Sequence, residues 1–178
     1  MQNEINDELS IYKNDIEFLA SMEESFEYNN KGEGHAAIVL ATMLNQTKEE
    51  FLMFSGELDK DVANQEIFLD ALENYLKQNK IFKLLIEQMP KKPSRALILV
   101  KKYAKENSNV EYKISDNKVI DTIKDIFDGT LVHFSVSDKK SYRLETDRDK
   151  YKAVCNFNDK NIGIALQDVF NDVYSIAK

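Results

Sequence analysis

One stretch, Thr130 to Asp159, holds most of the side chains able to do chemistry. It reads TLVHFSVSD, then KKSYRLETDRDKYK, then AVCNFND. Successive side chains of a strand face opposite ways. Val132, Phe134 and Val136 therefore share one face, and Leu131, His133, Ser135 and Ser137 the other. An imidazole beside two hydroxyls is more polarity than packing requires of a half-buried strand. Tyr142, Leu144 and Thr146 then alternate with Ser141, Arg143 and Glu145. A short apolar run, Ala153 to Cys155, leads into Asn156 and Phe157. Each residue also has a plain structural reading. A lone His on a strand is commonly a hydrogen-bonded structural residue. Asn156 serves equally as a turn or cap. Arg143 and Glu145 make an ordinary ion pair, worth little at a surface.

A second candidate is the basic stretch Lys91 to Lys105. It carries Lys91, Lys92, Arg95, Lys101, Lys102 and Lys105 and no acidic residue. Six cations over about four turns suit contacts to phosphates and salt-dependent binding. The competing reading is a solvated helix face. Only Tyr103 interleaves, so base stacking does not dominate.

Other signatures are missing. The sequence has no phosphate-binding Gly-rich loop, no dinucleotide fingerprint and no serine elbow. His35 and His133 are far apart, and no paired His or Cys spacing suits zinc. Asp59, Lys60 and Asp61 are too sparse for a calcium loop. No metal and no cofactor is expected. A single cysteine rules out an internal disulfide.

The elements that must position these groups follow from periodicity. Residues 4–28 read as a helix, with Ile5, Leu9, Tyr12, Ile16, Leu19, Met22 and Phe26 at threes and fours. Helices are expected at 33–48, 61–79, from Pro93, at 118–127 and after Asp159. Strands are expected at 51–54, 81–86, 109–114 and 131–137, then in the two segments that follow. Three strand–helix units ask for parallel pairing and the last strands for hairpins. The expectation is an α/β domain with a mixed, mainly parallel sheet and helices on both faces. Charge marks a boundary: residues 1–33 hold nine acidic and two basic side chains, while the remainder balances. The division expected is an acidic N-terminal helical segment, 1–33, and an α/β domain, 34–178.

The polar stretch resembles the phospholipase D superfamily, which carries His-x-Lys-x4-Asp on one strand and Gly-Ser-x-Asn-Phe on a neighbour. Anchored on Asp138, the pattern puts Leu131 at the catalytic His and His133 at the Lys. Ala153, Val154, Asn156 and Phe157 fall on the Gly, Ser, Asn and Phe. A gapped register puts His133 on the nucleophile and leaves the Lys missing. The resemblance implies metal-independent phosphodiester cleavage through a phospho-His intermediate. It implies a homodimer too, because the family builds its site from two such halves. By this resemblance the catalytic candidates are His133, Asn156 and Asp138. Phosphate-binding candidates are Arg143 and Lys139, with Lys101, Lys102 and Arg95 from the basic stretch. With both key positions altered, the expectation is a degenerate domain acting as a binding or regulatory module, touching a phosphodiester or nucleic acid. The alternative is an active nuclease or phosphodiesterase using His133 from two subunits. A protein partner is expected through residues 1–33. No apolar run reaches bilayer length, and a cytoplasmic, membrane-free protein is expected.

Overall fold

The computed structural model describes residues 2–58 and 60–178, with the side chains of residues 2–6 left out. Ile5 of the expected apolar face and Asp59 of the dismissed calcium loop thus lie outside the described side chains. The chain runs α1 (Gln2–Ser21), β1 (Tyr28–Asn30), α2 (Glu33–Gln46), β2 (Glu50–Ser55), α3 (Lys60–Ala63), α4 (Glu66–Leu76) and β3 (Ile81–Ile86). It continues α5 (Arg95–Glu106), β4 (Val110–Ile114), α6 (Asn117–Ile126), β5 (Phe134–Ser137), β6 (Ser141–Asp147), β7 (Lys152–Asn156) and α7 (Lys160–Ile176).

The strands form one seven-stranded sheet in the order β1-β7-β6-β5-β2-β3-β4. Its two faces are read directly from alternation. Phe51 and Met53 of β2, with Phe82, Leu84 and Ile86 of β3, meet α1, α2, α4 and α5. Leu52, Phe54, Leu85, Phe134, Val136 and Tyr142 meet α6 and α7. Helices thus cover both faces, as strands buried on both sides require.

The sheet is mixed but not mainly parallel. Only β2, β3 and β4 run parallel. The other four pairings are antiparallel, because β5 docks against β2 in the opposite sense and the hairpins continue from it. The N-terminal helix is also shorter than its apolar spacing suggests. It ends at Ser21, and Tyr28 to Asn30 instead pair with β7 as an edge strand. Leu131, ahead of β5, packs against the α6–α7 cluster and also lines the cleft that holds His133.

Local chemistry explains several ends. Ser94 accepts from the Leu97 amide and caps α5, Asp116 caps α6 through Val119, and Asp159 caps α7 through Asn161 and Ile162. Gly129, at φ 83°, closes α6 in a left-handed turn. His35, in the first turn of α2, has a packing role. Its ring stacks on Tyr12 at 3.7 Å and helps fasten α1 to α2. Burial pushes its pKa below the usual histidine value. Cys155 is wholly buried, and burial pushes its thiol up to about 12, which makes it an inert core residue.

Candidate functional site

A cleft of about 870 Å³ opens at the carboxyl ends of β2 and β3, the position where open α/β sheets bind ligands. Its apolar floor includes Leu40, Met53, Leu58, Val62 and Phe68. Its polar wall is one connected chain of charges running through His133.

Arg143 lies on β6, buried, and each of its three guanidinium nitrogens makes a hydrogen bond. Its Nε donates to Asn30 Oδ1 at 3.1 Å, and its terminal nitrogens donate to Glu145 Oε1 at 2.9 Å and to the Tyr151 carbonyl at 3.1 Å. The second oxygen of Glu145 is 3.1 Å from His133 Nδ1. The other face of the imidazole meets Glu87 Oε2 at 3.0 Å. Arg148 donates to that same oxygen at 2.8 Å. Five side chains, from β6, from the residue before β5, from the residue after β3 and from the β6–β7 turn, are thus linked in series. Phe54 packs edge-on against the ring at 5.2 Å. Gly56 permits the close fit, since a Cβ there would sit 2.9 Å from His133 Cε1.

Only 8% of His133 is exposed, and both ring nitrogens face carboxylate oxygens. Both contacts are hydrogen bonds only when both nitrogens carry hydrogen. Burial opposes ionisation of Glu145, but its bond to His133 and the adjacent Arg143 outweigh that and hold its pKa below 4.5. A carboxylate with a lowered folded pKa contributes stability above its unfolded value, and that stability is lost as pH falls through the folded value. Urea midpoints should therefore drop on acidification below about pH 4.5. Glu145→Gln should flatten the drop while lowering stability at neutral pH. An unchanged slope in that variant would show that Glu145 carries none of the acid sensitivity.

The sheet separates the other expected residues from this wall. Asp138 follows the far end of β5, about 17 Å along the strand from His133. Its carboxylate accepts the backbone amides of Lys48, Glu49 and Glu50 at 2.7, 3.0 and 3.1 Å. Asn156 pairs opposite Tyr142 at that same far end. Its Nδ2 donates to Ser25 Oγ at 3.0 Å, and its Oδ1 accepts from the Asn158 amide at 2.9 Å. Both are positioning residues for loops, not companions of His133. Lys139 is the second left-handed residue of the β5–β6 turn. On α5, Arg95 pairs with Glu66, and Lys101 and Lys102 lie over the Tyr112 and Tyr103 rings. Of the expected site residues, the cleft brings together only His133 and Arg143.

Glu87 and Arg148 were not singled out from sequence. The available signal was position: Glu87 directly follows a largely apolar strand, at the carboxyl edge where sites form. Among the described residues, no group of three or more His, Cys, Asp or Glu is placed to hold a metal ion. Among them, too, no helix is long and apolar enough to cross a membrane.

No protein-family model matches the sequence, and no curated protein matches it. Solved structures do match by fold. A phospholipase D family member, Nuc from Salmonella typhimurium, superposes with a TM-score of 0.62 at 12% identity, covering 87% of this chain and 97% of that one. The fold is phospholipase D-like. TrmBL2, an archaeal chromatin protein described with a novel mode of DNA binding, gives 0.57 at 17% identity, covering 99% of this chain and 65% of that one. Phosphatidylserine synthase from Haemophilus influenzae Rd KW20 gives 0.54 at 8%, covering 86% of this chain and 39% of that one. At such identities the likeness is one of fold.

Proposed function

We propose that this chain is a catalytically degenerate phospholipase D-like domain that works as a cytoplasmic binding or regulatory module, with the cleft as its ligand site. The observation that carries this reading is the double carboxylate clamp on His133. A nucleophilic imidazole needs a free nitrogen lone pair aimed at phosphorus. Here Glu145 and Glu87 occupy both nitrogens, and Leu131 stands where the family pattern has its attacking His. The groups needed to hold phosphate oxygens are committed as well. Arg143 is spent on Asn30, Glu145 and Tyr151, and Arg148 leans on Glu87. No lysine lines this cleft among the described residues, whereas Glu57, Glu87, Glu145 and Asp149 do. Such a lining suits an uncharged or cationic small ligand over a phosphodiester.

The test is incubation of single- and double-stranded DNA and RNA, and of a generic phosphodiester, with wild type and His133→Ala in EDTA. The expected result is no cleavage by either protein at high concentration. Metal-free cleavage by wild type that disappears in a folded His133→Ala variant would replace this reading with the active one, in which two copies of His133 meet across a dimer axis.

A second reading, contact with nucleic acid, has its own support. Lys91, Lys92, Lys102 and Lys105 are exposed, and one fold neighbour is described as DNA-binding. These lysines lie outside the His133 cleft, so such contact would run along α5. The same nucleic acids in a mobility-shift titration at two salt concentrations test it.

A further inference from the structure

Apart from the Arg95–Glu66 pair, the outward faces of α1 and α5 show no partner on another element among the described residues, and they are opposites. On α1 the inner face is Leu9, Tyr12, Ile16 and Leu19, packed toward α2. Ile11 and Phe18 lie one heptad apart on the reverse side, 63% and 65% exposed. Phe26, just beyond the helix, is 57% exposed. Acids surround this stripe. Asp7, Asp15, Glu23, Glu24 and Glu27 are exposed and form no ion pair among the described residues.

On α5 the inner face is Ala96, Leu97 and Val100. Arg95, Ile98, Lys102 and Lys105 recur at threes and fours on the reverse side. Ile98 is 54% exposed at the middle of this basic stripe. Lys91, Lys92 and Lys105 have no acidic partner among the described residues.

One chain cannot bring the two stripes together. The helices on this side of the sheet contact one another in the sequence α1 to α2, α2 to α4, α4 to α5. Helix α1 lies toward the β1 edge and α5 packs on β4, the opposite edge. Seven strands separate those edges by roughly 29 Å. The acidic segment therefore does not cover the basic stretch of its own chain. A two-fold contact through either stripe alone would set like charges against like, because an isologous interface pairs a patch with itself. Only a contact between unlike stripes of two copies satisfies both charge and apolar burial.

We infer that this chain self-associates head to tail, with the acidic, Ile11–Phe18 face of α1 docked on the basic, Ile98-centred face of α5 of a second copy. The occupant is chosen by charge complementarity, and the surface is independent of what the cleft binds. Such a heterologous contact extends into rings or filaments unless its rotation closes at two. Its rim charges make it weaken with salt.

Sedimentation velocity at low and physiological salt, over a wide concentration range, tests this with two variants. One carries Ile11→Glu and Phe18→Glu, and the other carries Ile98→Glu and Lys102→Glu. All four positions are surface residues, and circular dichroism checks the fold. Wild type should associate beyond monomer at low salt. Each variant alone should weaken association by about tenfold or more. An equimolar mixture should restore a single one-to-one species and nothing larger, since only one intact pair of faces remains. A wild type that stays monomeric at low salt overturns the inference. So does association that survives both variants, or a mixture no better than its parts. None of these outcomes bears on cleavage or on the cleft.

Discussion

Arg143→Ala is expected to cost about 3–5 kcal/mol of folding stability, the range for removing one partner of a buried ion pair. Natural domains hold only about 5–15 kcal/mol in total, so this one change should remove a large share. The size follows from what Arg143 leaves behind. Glu145, its side chain 11% exposed, loses the guanidinium bound to its Oε1. Asn30 Oδ1 loses a donor inside the core, as does the Tyr151 carbonyl. The edge strand β1 is fixed through that same Asn30, so the damage should reach the β1–β7 pairing. A double replacement, Arg143→Met with Glu145→Leu, should cost less than Arg143→Ala alone, because no uncompensated charge is then buried. Urea unfolding of the two single variants and the double variant decides. A loss under about 1 kcal/mol for Arg143→Ala, or strict additivity in the cycle, would show that the pair is ordinary surface chemistry. That outcome would reopen Arg143 as a phosphate ligand.

The pair also marks where sequence reasoning stops. Alternation on β6 places Arg143 and Glu145 on one face, and the face is correct. What it leaves open is depth. Burial of that face depends on β1, α2 and the β6–β7 turn closing over it, and none of those contacts is local. The β1 strand is itself invisible to periodicity. Met22 and Phe26 continue the helical spacing, while three residues are too few to show alternation. Their conformation is imposed by pairing with β7 and by Asn30 reaching Arg143 and Tyr151. Helices and strands with a long apolar face were legible because burial of one face sets their period. Strand order and direction were legible only in part. Three strand–helix units do imply β2, β3 and β4 in parallel, but nothing in the sequence says that β5 returns beside β2 rather than beyond β4. That single non-local choice makes the sheet mostly antiparallel. It also puts His133 against Glu87, a contact 46 residues apart in sequence.

Asp138 is the motif residue whose role the fold most changes, and its replacement tests that role. The β5–β6 turn holds Asp138 and Lys139 at φ 50° and 58°, a left-handed conformation that costs Asp less than Ala. The Asp138 carboxylate gathers three successive amides at the entry to β2. It thereby ties the central strand to the turn. The turn is pinned in its own right by α7. The Asp159 amide donates to the Lys140 carbonyl at 2.9 Å. At Gly163 a Cβ would come within 2.5 Å of the Lys139 carbonyl. With the turn unable to relax, the lost bonds cannot be remade elsewhere. Asp138→Ala should therefore destabilise by about 2–4 kcal/mol, combining lost charge-assisted bonds with left-handed strain. Asp138→Asn keeps the backbone preference and one acceptor oxygen, and should fall between Ala and wild type. Urea midpoints rank the three proteins. Because the carboxylate sits at the far end of the strand from His133, neither variant should alter ligand affinity at the cleft beyond its effect on folding. If Asp138→Ala unfolds like wild type, the carboxylate is not a strand clamp. If it instead abolishes cleft binding in a protein still fully folded, the family pattern, with Asp138 acting alongside His133, is the better guide than the geometry.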